Sequence, residues 1–124
     1  MARILVIDDD AQIRKLLQSL LERAGYEVAL AADGKEGLQA YRSQPADLII
    51  TDLIMPEKEG IEMILEIRQA NPAVKIIAIS GGARIAPDNY LRMAESLGAG
   101  RTFSKPVDRD ALLAAVSELL SDGS

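Results

Sequence analysis

The chain has 124 residues, of which 48% are hydrophobic and 27% charged, with a net charge of −5; this is the profile of one globular domain around one core, not of a disordered tail. The acidic balance argues against a nucleic-acid or anionic-membrane surface, which needs clustered Lys and Arg. With neither Cys nor His, disulfides, thiolate metal sites and imidazole chemistry are excluded, so any metal must be held by oxygens.

The first apolar run, Ile4-Leu5-Val6-Ile7, is too short for a helix and ends in Asp8, Asp9 and Asp10. It reads as a buried strand and fits neither a signal peptide nor a membrane span, so a cytoplasmic location with no membrane insertion is expected. Ile13, Leu16, Leu17, Leu20 and Leu21 follow at helical spacing as one apolar stripe, with Gly25 placed to close the helix. Residues 28–31 give a second strand, and Asp33 with Glu36 has the spacing of a capping box opening a second helix. Residues 48–50 give a third strand. A third helix begins at Gly60, carries Ile64 and Ile67 inward, and ends at Asn71-Pro72.

Residues 76–79 form the fourth strand, and Pro87 suits the first turn of a further helix that Gly98 closes. Thr102 and Phe103 mark a fifth strand. Leu112, Leu113, Val116, Leu119 and Leu120 make a last amphipathic helix. Five strand–helix pairs with near-continuously apolar strands imply a parallel sheet covered on both faces, a doubly wound α/β sandwich. Such sheets bind ligands at the carboxyl ends of their strands, near the point where strand order reverses. There are no repeats, low-complexity segments or internal linkers. Residues 1–121 are expected to form a single domain, with 122–124 a tail or expression remnant and no output domain.

On this map Asp8 and Asp9 end the first strand, Asp52 the third and Ser80 the fourth, while Lys105 follows the fifth. Each is unremarkable alone: an aspartate after a strand is as often a helix cap, as Asp10 reads, a serine is as often a turn residue, and a lysine is usually solvated surface. As a set they say more. Three carboxylates converging on one crevice repel one another unless a cation is present. Mg²⁺ suits such a place, because it takes one or two carboxylates, keeps waters and bridges to phosphate.

The stretches Ile4-Leu5-Val6-Ile7-Asp8-Asp9, Asp47-Leu48-Ile49-Ile50-Thr51-Asp52-Leu53-Ile54-Met55-Pro56, Ser80-Gly81 and Lys105-Pro106 together resemble the receiver domains of two-component response regulators, including chemotaxis regulators. The resemblance covers essentially the whole chain. It implies a flavodoxin-like, five-stranded parallel sheet of order 2-1-3-4-5 with five helices. It makes Asp52 the phosphoacceptor, taking a phosphoryl group from a phosphohistidine on a sensor histidine kinase or histidine phosphotransfer protein and so switching binding to a downstream protein or output domain. It gives Mg²⁺ to Asp9, Asp52 and the backbone carbonyl of Ile54, with Asp8 acting through metal-bound water. Lys105 becomes a point charge toward the phosphoryl group and Ser80 a hydrogen-bond donor to it. Gly81 would admit the phosphate to the backbone, Pro56 would shape the loop after the acceptor, and Lys105-Pro106 would be a cis bond. Such a chain would be a signalling receiver that catalyses its own phosphorylation and dephosphorylation, not an enzyme in the ordinary sense.

The pattern departs from the family where an aromatic residue usually stands three positions before the lysine; here that residue is Thr102. Its neighbour Phe103 should point to the opposite face and pack in the core, so aromatic switching is not expected. The span from Ser80 to Lys105 is about three residues longer than the family's, with Gly82, Ala83, Arg84, Ile85 and Ala86 in an extended loop. Ile54 and Gly82 flank the site and are placed to govern water access. Three other readings compete. An aspartyl-phosphate hydrolase would carry a second acid where this chain has Ile54. A nucleotide or flavin module would need a G-x-G-x-x-G after a strand, which Gly98-Ala99-Gly100 does not supply. A receiver-like interaction module acting without phosphorylation would not need the full set of Asp9, Asp52, Ser80 and Lys105.

Overall fold

The computed structural model describes residues 2–52, 60–80, 101–104 and 107–121. Its apolar runs form five parallel strands: β1 (Arg3–Ile7), β2 (Glu27–Ala31), β3 (Leu48–Asp52), β4 (Lys75–Ser80) and β5 (Arg101–Ser104). Four helices are described: α1 (Ala11–Arg23), α2 (Gly34–Ser43), α3 (Gly60–Ala70) and α4 (Arg109–Ser121). The helix expected between Pro87 and Gly98 lies outside the described residues, as do the 82–86 loop and the 122–124 tail.

The strand order is β2-β1-β3-β4-β5, the doubly wound, flavodoxin-like arrangement. Alternation along the strands assigns each apolar residue to one of two layers. Leu5, Ile7, Ile49, Ile76 and Ala78 pack against Leu38 and Tyr41 of α2 and Met63, Ile64 and Ile67 of α3. Ile4, Val6, Leu48, Ile50, Ile77 and Ile79 pack against Leu17 and Leu21 of α1 and Leu112 and Val116 of α4. Burial on both faces is why these strands read as unbroken apolar runs and not as alternating ones. Phe103 joins the α1/α4 layer, so it packs as its place in β5 predicts.

Helix ends are fixed locally. The Asp10 side chain caps α1 by accepting from the backbone N–H groups of Gln12 and Ile13. Gly25, at φ 98°, closes α1 in a Schellman motif, with Tyr26 N–H donating to Leu21 O and Gly25 N–H to Glu22 O. At α2, Asp33 accepts from Glu36 N–H at 2.8 Å, but the return bond runs from Ala32 N–H to Glu36 Oε1 at 3.2 Å, one residue earlier than in a standard capping box. Asn71 follows α3 as expected, and its side chain also donates to Tyr41 Oη at 2.8 Å, tying α3 to α2.

The α1 stripe needs one correction. Leu17 and Leu21 are buried, but Leu16 is 39% exposed. At 100° per residue Leu16 lies about 100° from Leu17 around the helix, which carries it off the sheet. It lines a pocket with Leu17, Val107 and Leu112.

The ends of the sheet carry charged ties. Arg3 pairs with Glu27, and its backbone N–H donates to Asp47 Oδ2 at 2.8 Å. Arg101 of β5 pairs with Glu118 of α4.

Helix α2 sits so close to β1 that a Cβ at Gly37 would fall 2.5 Å from Ile7 Cδ1, 3.0 Å from Ile7 Cγ1 and 3.1 Å from Met63 Sδ. Gly37→Ala is therefore expected to destabilise the fold by about 1–3 kcal/mol through overpacking, despite alanine's better helix propensity. Equilibrium urea unfolding checks this, and a gain in stability would show that α2 can lift without cost.

Candidate functional site

The strand order reverses between β1 and β3, since the chain passes from β1 outward to β2 and then returns across β1 to β3. The two strands pair Ile4↔Leu48, Leu5↔Ile49, Val6↔Ile50 and Ile7↔Thr51. The next residues on each strand, Asp8 and Asp52, therefore emerge side by side at the carboxyl end of the sheet. Both continue the positions that face the α1/α4 layer.

Asp8, Asp9 and Asp52 form one cluster, each offering a carboxylate oxygen, with these atoms all within 4.8 Å of one another. Asp8 is 1% exposed and Asp52 5% exposed, whereas Asp9 is open to solvent. Two unit charges about 5 Å apart near a protein surface repel by on the order of 3 kcal/mol. An all-oxygen set at this spacing suits a hard divalent cation, and the exposed Asp9 leaves a side open for waters and a further oxygen ligand.

The loop carrying Asp8 and Asp9 is held at several points. Asp8 N–H donates to Ala31 O at 3.1 Å, extending the β1–β2 ladder by one bond. Asp8 Oδ1 accepts from Asp10 N–H at 2.9 Å. Its backbone oxygen accepts from Arg14 Nη1 at 2.7 Å. With one oxygen of Asp8 already engaged by the backbone, the carboxylate both shapes the loop and faces the cluster. On β3, the buried Thr51 donates from Oγ1 to Asp52 O at 2.9 Å.

Ser80 closes β4, opposite Ser104 of β5, and Asp52 is the Cα partner of Ile79, the residue before Ser80. Thr102 lies in β5 opposite Ala78. Ile54, Pro56, Gly81, Gly82, Lys105 and Pro106 lie outside the described residues. The structure thus brings together the three predicted aspartates and sets the end of β4 beside β3. It adds Arg14, which sequence reading missed; the available signal was a cation one turn into the helix after the acidic run.

The family model for the response regulator receiver domain matches residues 4–117, and the chain belongs to that family. It is 32% identical over 122 residues to the response regulator receiver protein CpdR of Brucella abortus, covering 97% of this chain and 98% of the relative. It is 35% identical over 123 residues to the transcriptional regulatory protein GlrR of Escherichia coli, where 99% of this chain spans only 27% of the relative's length. Among solved structures, a CheY-like receiver domain protein from Methanospirillum hungatei superposes with a TM-score of 0.90 at 31% identity, covering 98% of this chain and 95% of the other.

Without metal, replacing one of the three carboxylates removes repulsion. Asp9→Asn is expected to raise the thermal midpoint in EDTA and to lose that advantage over wild type when Mg²⁺ is added, because metal binding stabilises only the protein that keeps its ligands. Thermal melts of both proteins with and without Mg²⁺ check the crossover.

Proposed function

We propose that this chain is a Mg²⁺-dependent phosphoacceptor in a two-component phosphorelay, working in the cytoplasm with residues 1–121 as the receiver unit. The observation that carries the reading is the convergence of Asp8, Asp9 and Asp52 at the β1/β3 reversal point in a chain of the receiver family.

The Asp52 carboxylate attacks phosphorus in line with the bond to the donor. A P–O bond forms to Asp52 as the P–N bond to the imidazole of a partner's phosphohistidine breaks, and the imidazole leaves with the electron pair. Burial of Asp52 at the end of β3 fixes the attacking oxygen and limits competing water. Asp9, Asp52 and the backbone carbonyl of Ile54 would hold Mg²⁺, and Asp8 would act through a metal-bound water. Bound there, the ion would neutralise oxygens on the transferring group. Lys105 supplies a further positive charge, and Ser80 donates a hydrogen bond to the phosphoryl group once it is in place. The donor is a sensor histidine kinase or histidine phosphotransfer protein, and the phosphorylated form binds a downstream protein or output domain. Because Thr102 stands where the family usually has an aromatic ring, that switch runs through Ser80 and its loop and not through a ring rotamer.

Incubation with acetyl phosphate and Mg²⁺ is expected to add one phosphoryl group by intact mass to wild type and none to Asp52→Ala, with labelling lost in EDTA. Failure of folded, Mg²⁺-bound wild type to label would overturn this reading in favour of an interaction module that works without phosphate.

A further inference from the structure

We infer that Arg14 is the positioning residue of the acidic site: by holding the Asp8 carbonyl it keeps the β1–α1 loop in the one shape that aims Asp8 and Asp9 at Asp52. The inference rests on the Mg²⁺ reading above and deepens it.

Three observations carry it. First, Arg14 Nη1 donates to Asp8 O at 2.7 Å, and this is the one hydrogen bond its guanidinium makes among the described residues. A guanidinium beside three carboxylates would ordinarily make a bidentate pair with one of them. Here it takes a backbone oxygen instead, and one oxygen from each of the three carboxylates lies within 4.8 Å of the others. An arginine paired to a carboxylate would compete with a cation for it, whereas one bonded to the peptide supports the ligands from behind.

Second, Arg14 lies in the first turns of α1, and the first turn holds no acidic residue. A cation near a helix N-terminus opposes the helix dipole, so the position does not serve the helix. Third, the bond closes a circuit. Arg14 N–H donates to Asp10 O at 3.0 Å, Asp10 N–H donates to Asp8 Oδ1 at 2.9 Å, and the Arg14 side chain returns to Asp8 O. Asp9 sits inside this circuit, so its direction depends on it, although Asp9 itself is exposed.

The sign of the effect separates positioning from charge. If Arg14 contributed only charge, removing it would tighten binding of a nearby cation. If it positions ligands, removing it weakens binding by about tenfold, in the range seen when metal sites lose outer-shell support. Mg²⁺ titrations followed by amide chemical shifts would compare wild type, Arg14→Ala, Arg14→Lys and Lys15→Ala. Lys15 is an exposed neighbour on the same helix and reports charge alone. Hydrogen exchange at the Asp10 amide in metal-free protein reports the loop directly.

The expected result is about tenfold weaker binding and faster Asp10 exchange in Arg14→Ala, partial recovery in Arg14→Lys, and equal or tighter binding in Lys15→Ala. Binding by Arg14→Ala as tight as wild type, or tighter, would overturn the inference. Should Arg14→Ala not fold, Arg14→Gln is read the same way, since its shorter side chain cannot keep both the charge and the bond. A wild type that binds no Mg²⁺ would overturn the metal reading itself; the Asp10 exchange then decides positioning alone, and an unchanged rate in Arg14→Ala rejects it.

Discussion

Ile7 and Thr51 are Cα partners in the pairing of β1 with β3, and everything at the acidic site depends on that register. One residue beyond the pair, Asp8 and Asp52 lie together and on the same side. A slip by one residue would send one of them to the opposite layer. The register is secured by burial on both faces: Ile4, Val6, Leu48 and Ile50 look one way, Leu5, Ile7 and Ile49 the other, and all are essentially inaccessible to water. Hydrophobic packing along the strands thus holds together carboxylates that would separate if free.

The same logic explains why the site lies where it does and not at the other end of the sheet. At the amino ends, the Arg3 guanidinium pairs with Glu27 and the Arg3 backbone N–H donates to Asp47 Oδ2, so both of these carboxylates have a partner. At the carboxyl ends of β1 and β3, three carboxylates of one sign gather within 4.8 Å of one another. The Asp8 carbonyl accepts from Arg14 and the Asp10 N–H donates to Asp8 Oδ1, so the loop that carries Asp8 and Asp9 is tied at two points. Gly37 belongs to this support as well. By letting α2 settle directly on Ile7, it fixes the last strand residue before Asp8.

Much of this was legible in the sequence because its signals are local. Runs such as Ile4-Leu5-Val6-Ile7 gave strands to within a residue or two, and aspartates placed directly after such runs gave the site. The apolar run stops at Ile50, while β3 ends at Asp52, where the sequence map puts its end, as β4 continues to pair with it. The signal weakened where neighbours decide the outcome. Leu16 has the spacing of the buried stripe yet lies outside it, because α1 meets the sheet along the Leu17–Leu21 line. The Glu36 side chain returns to Ala32 and not to Asp33, a detail set by how the chain leaves β2. For Arg14 the sequence offered only a cation one turn into the helix after the acidic run; its partner, a backbone oxygen, has no letter in the sequence.

The short edge strand β5 has a consequence in concentrated solution. An open sheet invites neighbouring molecules to add strands at its borders, the first step toward aggregation. Both borders here carry charge, Glu27 held by Arg3 on β2 and Arg101 held by Glu118 on β5, and β5 offers only four residues for pairing. A second molecule approaching either border meets an ion pair that must be desolvated before any backbone bond can form. Among the described residues, each border strand thus carries a charged side chain that disfavours edge-to-edge pairing.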